Sequence, residues 1–291
     1  MKVTVIGAGN VGAMVAARVI DAGLASAILL DVVPGLAKGK ALDISDSRPI
    51  TGSFCDISGS EDFQDMQASD IVVVTAGLAR KPGMSRDDLL KKNSEIIKDI
   101  SCKIKRYCPA SIVVVVTNPL DAMSYLAMKT TGFPPAKVIG MAGVLDSARF
   151  INITSLGDSN HRIFMMGSHG DTMVAINRSD DLDDTTFKEG ADRAMHRGAE
   201  IVAYLKTGSA YFAPSAAVFY MLKAIIKNEK KTMCCSAYLN GEYGERDVYV
   251  GVPVVLGSSG VGEIVKIGLT EEEKKAFKRS INEIRSTIDK L

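Results

Sequence analysis

Gly167-Ser168-His169-Gly170-Asp171-Thr172 ends an apolar run with a histidine held between glycines, an exposed and tightly constrained place for an imidazole. Such a ring titrates at about pH 6.5 when unperturbed, so the chemistry open to His169 is proton transfer. His161 and His196 lie in polar contexts and read as incidental. Upstream, Asp146 and Arg149 sit three apart in Leu145-Asp146-Ser147-Ala148-Arg149, on one face of a helix. Their spacing alone favours an ordinary surface ion pair. Three further cations, Arg80, Lys81 and Arg86, lie along a segment punctuated by Gly77, Pro82 and Gly83. That segment is either a solvated basic loop or a mobile clamp for an anion.

Two other clusters fall at the ends of strand-like runs. Gly7-Ala8-Gly9-Asn10-Val11-Gly12 follows a strand and opens a helix. Glycine at 7 allows a tight turn, at 9 lets a pyrophosphate approach the backbone, and at 12 lets helix and strand pack closely. Phosphate oxygens would then meet free N–H groups at the helix N-terminus. A glycine-rich structural turn is the bland alternative. The next strand ends at Asp31, whose carboxylate would accept hydrogen bonds from a ribose and repel a 2′-phosphate. Val32-Val33 supply no arginine to attract one, so NAD is favoured over NADP. Thr117-Asn118-Pro119-Leu120-Asp121 ends another strand, on the same sheet edge as the glycine turn. Alone it is a simple turn, with Asp121 free to cap the helix that follows.

The elements positioning these groups fall into two patterns. In the first half, short β-branched runs at 2–6, 27–31, 71–75 and 112–117 alternate with helix-length stretches at 11–22, 34–46 and 87–107, and 137–139 adds a shorter strand. Continuous apolar strands between helices predict a Rossmann-type, doubly wound α/β fold, its parallel sheet covered on both faces. Further on, 161–166, 174–177, 232–239 and 248–256 read as strands of a mixed sheet, and 184–207, 214–227 and 270–291 as long helices. The expected organisation is a dinucleotide-binding domain over 1–143 and a C-terminal α+β catalytic domain over 144–291. With no repeat and no low-complexity linker, the two should share a broad interface.

Composition excludes several classes. The 291 residues are 46% hydrophobic, enough to bury a full core. Against 34 acidic side chains stand 35 basic ones, so charge gives no reason to propose nucleic acid or an anionic membrane as partner. No apolar run approaches the roughly eighteen residues that span a bilayer. Five cysteines without a Cys-x-x-Cys pair suggest neither a disulfide framework nor a metal site. Strand-like sequence begins at residue 2 and leaves no room for a signal peptide, so a reducing cytoplasm is the expected compartment.

Taken in order, the glycine turn, Asp31, the segment 79–90, Thr117-Asn118-Pro119, 145–149 and 167–174 resemble the malate dehydrogenases, in the branch similar to lactate dehydrogenases, over nearly the whole chain. The likeness continues through Lys206-Thr207-Gly208-Ser209-Ala210-Tyr211 and Gly251-Val252-Pro253. It implies NAD as cofactor, malate and oxaloacetate as small dicarboxylate substrates, and a homodimer or homotetramer. His169 would be the general acid–base, with Asp146 orienting the ring and stabilising its imidazolium. Arg149 would hold the substrate's C1 carboxylate as a bidentate fork. Arg86 would polarise the reacting carbonyl when a lid loop closes. Arg80 would pair with the distal carboxylate, at a position where lactate-specific relatives carry a neutral glutamine. Asn118 would hydrogen-bond substrate near the nicotinamide, with a cis bond before Pro119. Gly7, Ala8, Gly9, Asn10, Val11, Gly12, Asp31, Asn93, Val116, Thr117 and Asn118 would contact the cofactor, and no metal is implied.

One departure from typical members is that only twenty positions separate Arg149 from His169, which predicts a shortened helix or compact loop at 152–160. No arm precedes the first strand, which argues against a tetramer built on one. A lactate dehydrogenase, or another 2-hydroxy-acid dehydrogenase, is the alternative. A non-catalytic NAD-binding sensor would need only the glycine turn and Asp31, and has no use for His169, Asp146 and two substrate-side arginines.

Overall fold

Strand β1 (Lys2–Ile6) buries Val3, Val5 and Ile6, successive side chains passing to opposite faces of a sheet covered on both. A computed structural model describes residues 1–78, 84–156, 163–179 and 182–291. Arg80, Lys81 and His161 fall outside the described residues. After β1 come α1 (Asn10–Asp21), β2 (Ser26–Leu30), α2 (Leu36–Thr51), β3 (Ile57–Ser60), β4 (Ile71–Val74), α3 (Arg86–Tyr107), β5 (Ile112–Val115), α4 (Leu120–Thr131) and β6 (Val138–Gly140). These six strands are parallel, in the order β3-β2-β1-β4-β5-β6. The chain lays β2 and β3 on one side of β1, then returns to place β4 on the other. The crevice at that reversal, outside the carboxyl ends of the strands, is where open α/β sheets accommodate ligands.

The valine runs of β4 and β5 are continuous because both of their faces are buried. Ile71 and Val73 share one core with Val114, Ile139 and the apolar face of α1. Val72 and Val74 share another with Val113, Val115, Ile97 and Ile104 of α3, and Met123 of α4.

The second half comprises α5 (Gly143–Thr154), β7 (Ile163–Met166), β8 (Val174–Asn177), α6 (Asp184–Leu205), α7 (Phe212–Ile226), β9 (Lys231–Asn240), β10 (Arg246–Gly257), β11 (Gly260–Ile264) and α8 (Glu271–Ile288). Its strands do not form one mixed sheet, as the sequence pattern had implied. Strand β9 pairs antiparallel with β6 at Gly140 and Ser236, and β10 and β11 continue the first sheet to nine strands. Among the described residues only β7 and β8 stand apart, as an antiparallel pair bridged to β10 through Gly167 and Gly251. Strands β3 and β11 had no signal in the sequence, because sheet-edge strands need no continuous apolar run. Helix α2 runs past Pro49 to Thr51, the proline removing one backbone donor from its last turns. Helix α5 stops at Thr154, and 157–160 of the segment expected to be a shortened helix or compact loop lie outside the described residues. None of the described helices is long and apolar enough to cross a membrane.

Substitutions in the glycine turn test this packing. A Cβ at Gly12 would stand 1.9 Å from the carbonyl oxygen of Gly7, whereas one at Gly9 would meet nothing within 4 Å. Gly12→Ala should therefore lower unfolding stability by about 1–3 kcal/mol, as overpacking does. Gly9→Ala should leave the urea midpoint nearly unchanged while weakening NADH binding. Equal midpoints for the two variants would show that helix and turn are packed otherwise.

Candidate active site

At the end of β1 the chain turns through Gly7 at φ +103°, its N–H donating to Leu30 at 2.7 Å. Open space beside Gly9 lies next to the first turn of α1, which has neither a side-chain cap nor an acidic residue. Free amides facing unfilled space fit a pyrophosphate. Asp31, just past β2, accepts from the N–H of Ala8 at 2.6 Å and of Val33 at 2.9 Å. Each of its oxygens keeps a lone pair for a ribose hydroxyl. Lys40 braces the turn from α2 by donating to the Ala8 carbonyl at 2.8 Å. These residues fit the adenosine and phosphate half of NAD.

The other half is built from the ends of β4 and β5, with Asn93 of α3 between them. Thr117 Oγ1 donates to the Ala76 carbonyl at 2.7 Å, tying the end of β5 to that of β4. The Asn118–Pro119 bond is cis, and Asn118 is exposed to a cavity of about 440 Å³. Asn93, expected as a direct cofactor contact, has no exposed surface. Its amide donates to the carbonyls of Asn118 at 2.7 Å and Leu78 at 3.2 Å and accepts from the Leu78 N–H at 2.8 Å, so it shapes the site through the backbone.

His169 lines the same cavity. Its Nδ1 lies 2.7 Å from Asp146 Oδ2, which fixes the ring and points Nε2 away from α5. Asp146 is not the surface partner its spacing suggested, being only 2% exposed. Its second oxygen takes Arg149 Nη1 at 3.3 Å. Among the described residues the Nε of Arg149 is buried without a partner, an unused donor of the kind an anion would satisfy. Burial of the His169 ring favours its neutral form. The charge and hydrogen bond of Asp146, with the charge of Asp121, outweigh that and Arg149's opposition, so its pKa is raised above the ordinary 6.5.

The His169 loop is clamped from several elements. Ser168 N–H donates to Ser280 of α8 at 2.6 Å, and His169 N–H to Asp121 at 3.1 Å. Arg86 guards the opening, with Nη2 2.7 Å from Asp171 and Nη1 3.9 Å from Glu283. It was expected on the lid but is the first residue of α3. Ser85 accepts from the Asp88 N–H at 3.0 Å and Asp88 from the Ser85 N–H at 3.2 Å, a capping box that starts the helix there. The rest of the basic segment, Arg80 included, lies outside the described residues. His196 is exposed and bonded to its own helix at Asp192, away from the site. Sequence reasoning missed Asp171, Glu283, Ser236 and Ser280. Asp171 stood inside the motif already singled out, but the others carry no local signal, their partners being remote in the chain. Among the described residues, no group of three His, Cys, Asp or Glu could hold a metal ion.

A doubly wound sheet that fits a dinucleotide at its reversal point, with a buried carboxylate–imidazole couple in the same crevice, defines a dinucleotide-dependent oxidoreductase. The chain belongs to the lactate/malate dehydrogenase family. Residues 1–140 match the model of its NAD binding domain and residues 144–291 that of its alpha/beta C-terminal domain. It is 44% identical to a malate dehydrogenase of Desulforudis audaxviator over 303 aligned residues, covering 100% of this chain and 98% of the other. The malate dehydrogenase structure from Salinibacter ruber superposes with a TM-score of 0.94 at 40% identity, covering 100% and 97% of the two chains. A lactate dehydrogenase from Cryptosporidium parvum, solved with lactic acid and nicotinamide adenine dinucleotide, gives 0.93 at 35% identity, covering 99% and 96%. An alignment of 303 residues on a chain of 291 also means that the first relative carries residues this chain lacks.

The ring's raised pKa fixes a pH signature. Reduction of a keto acid needs the imidazolium, so its kcat/KM should hold through pH 6.5 and fall as pH rises past the elevated midpoint. Oxidation needs the neutral ring and should rise over the same interval. His169→Asn should lower turnover by about 10³-fold while leaving the NADH dissociation constant nearly unchanged. Near-native turnover in that variant would remove His169 from proton transfer.

Proposed function

We propose that this chain catalyses the reversible, NAD-dependent interconversion of malate and oxaloacetate. The observation that carries the reading is the His169 ring, fixed by buried Asp146 inside a cavity that also receives Asn118 and Arg86. NADH, when bound, supplies the hydride. The chain's own residues bind, orient and protonate. Arg149 holds the carboxylate next to the reacting carbon, using a guanidinium whose Nε has no partner among the described residues. Asn118 donates its side-chain amide to the substrate. Arg86 leaves Asp171 and Glu283 and turns to the carbonyl oxygen, where its charge favours the developing alkoxide. His169, protonated and backed by Asp146, delivers the proton to that oxygen. In the reverse direction the neutral ring removes it.

Arg80 supplies selectivity for a second carboxylate. In a closed, water-poor site an unpaired guanidinium costs several kcal/mol, a penalty pyruvate incurs and oxaloacetate avoids. Residues 1–143 serve as the dinucleotide-binding domain and 144–291 as the catalytic domain. The working form is a cytoplasmic homodimer or homotetramer. That part of the reading is supported by an apolar surface on α2, where Leu42, Ile50 and the adjacent Phe54 are 59%, 88% and 95% exposed.

An assay with oxaloacetate, pyruvate and a branched 2-keto acid, each with NADH and NADPH, tests the assignment. Oxaloacetate with NADH should win by orders of magnitude. Arg80→Gln should cut efficiency with oxaloacetate and raise it with pyruvate, at little cost to NADH affinity. Wild-type preference for pyruvate, or a preference that the substitution leaves unmoved, would transfer the chain to lactate chemistry.

A further inference from the structure

Asp121 occupies the first turn of α4, three residues after Asn118, and is 5% exposed. A carboxylate there ordinarily accepts from free amides of its own helix. This one reaches away from it. Its Oδ1 accepts from Ser236 Oγ of β9 at 2.6 Å and its Oδ2 from the main-chain N–H of His169 at 3.1 Å. Neither oxygen is paired with a lysine or arginine among the described residues. Burial pushes its pKa up to about 6, the hydrogen bonds from Ser236 and the His169 N–H holding it from going higher, and the charge of Asp146 adds to the rise. Both of its oxygens accept, as those of a carboxylate do, although an asparagine would satisfy the same neighbours, since a serine hydroxyl can donate or accept. The charge needs an explanation beyond hydrogen bonding.

The charge balance around His169 provides it. From α5 the ring faces Asp146 and Arg149, one anion and one cation. Across the cavity, on its solvent-exposed rim, Arg86 of α3 stands against Asp171 and Glu283, which leaves one negative charge in surplus but screened by water, and Asp87 is matched by Lys290. Asp146 and Arg149 cancel, so without Asp121 the buried surroundings of the ring hold no net charge to favour an imidazolium. With it they hold one negative charge, which protonation of His169 neutralises. We propose that Asp121 is a positioning residue for His169, fixing the main chain of its loop through the N–H and adding the negative charge that favours the protonated ring. Asp146 sets the direction of the ring, and Asp121 supplies the surplus charge that decides how readily it holds a proton.

This rests on the assignment of His169 as the proton donor, but it can be read without turnover. The chain has three histidines. Their ring resonances can be titrated by NMR in the NADH complexes of wild type, Asp121→Asn and Ser236→Ala. In Asp121→Asn the His169 midpoint should move to lower pH. The kcat/KM for oxaloacetate above that midpoint should fall about tenfold, the equivalent of one pKa unit, with much less loss at acid pH and an unchanged NADH dissociation constant. Ser236→Ala removes a donor that favours the anionic form of Asp121. It should move the His169 midpoint in the same direction by less, and it decides the matter should Asp121→Asn fail to fold. A midpoint unmoved in the folded variant, or activity lost equally at every pH, would leave Asp121 a purely structural residue and overturn the proposal. Failure of the malate assignment would show instead in the substrate panel, with the titration intact.

Discussion

Removing a carboxylate from water costs several kcal/mol unless charge and hydrogen bonds replace its hydration. Asp146 satisfies that requirement only where α5 lies against β7, with Arg149 one turn away and the His169 ring on its other oxygen. Ser147 helps hold this arrangement by accepting the Met165 N–H at 3.2 Å. Once Asp146 is buried, the ring has little freedom: Nδ1 is committed, and only Nε2 is left for substrate. The loop between β7 and β8 must then pass close to α4 and α8, and both helices carry side chains that take its amides. One desolvated carboxylate thus dictates where four elements meet.

The parallel sheet meets the other demand, a common edge for groups distant in sequence. Strands β1, β4 and β5 run alongside one another in register, so Gly7, Ala76 and Thr117 emerge together. Asn93 then joins the segments after β4 and β5 by its single amide. From the opposite side β9 brings Ser236 to Asp121 through its pairing with β6. The glycine turn and the His169 loop share one scaffold because the nine-stranded sheet runs from β1 through to β10, to which the β7–β8 pair is bridged.

Much of this was legible from residue types and spacing. Five of the six strands of the first half announced themselves as apolar runs, and the glycine turn, Asp31, Asn118, Asp146, Arg149 and His169 lie on the turn, strand ends and helix where the sequence put them. What escaped had physical reasons. Strand β3, Ile57-Ser58-Gly59-Ser60, is an edge strand with no apolar pattern to betray it. The joining of β9 to β6 rests on one residue pair, which no local periodicity encodes. Spacing suggested a surface ion pair for Asp146 and Arg149 because i, i+3 geometry is the same on either face of a helix, and burial is a tertiary fact. Asp121 read as a helix cap for a similar reason: its partners, Ser236 and His169, are remote in sequence.

The pairing of β6 with β9 also bears on how the chain is made. A ribosome releases β1 to β6 before α5, the β7–β8 pair, α6 and α7, and only then β9. During that interval the three-residue β6 is the edge strand of the parallel sheet, its outer backbone groups unpaired. Such an edge is a template for another nascent chain. It stays open until synthesis reaches the very strand that carries Ser236. The step that closes a vulnerable edge is therefore the same step that brings the serine to Asp121, and a chain stalled before β9 could form its nucleotide turn while lacking both protection and a finished proton-transfer site.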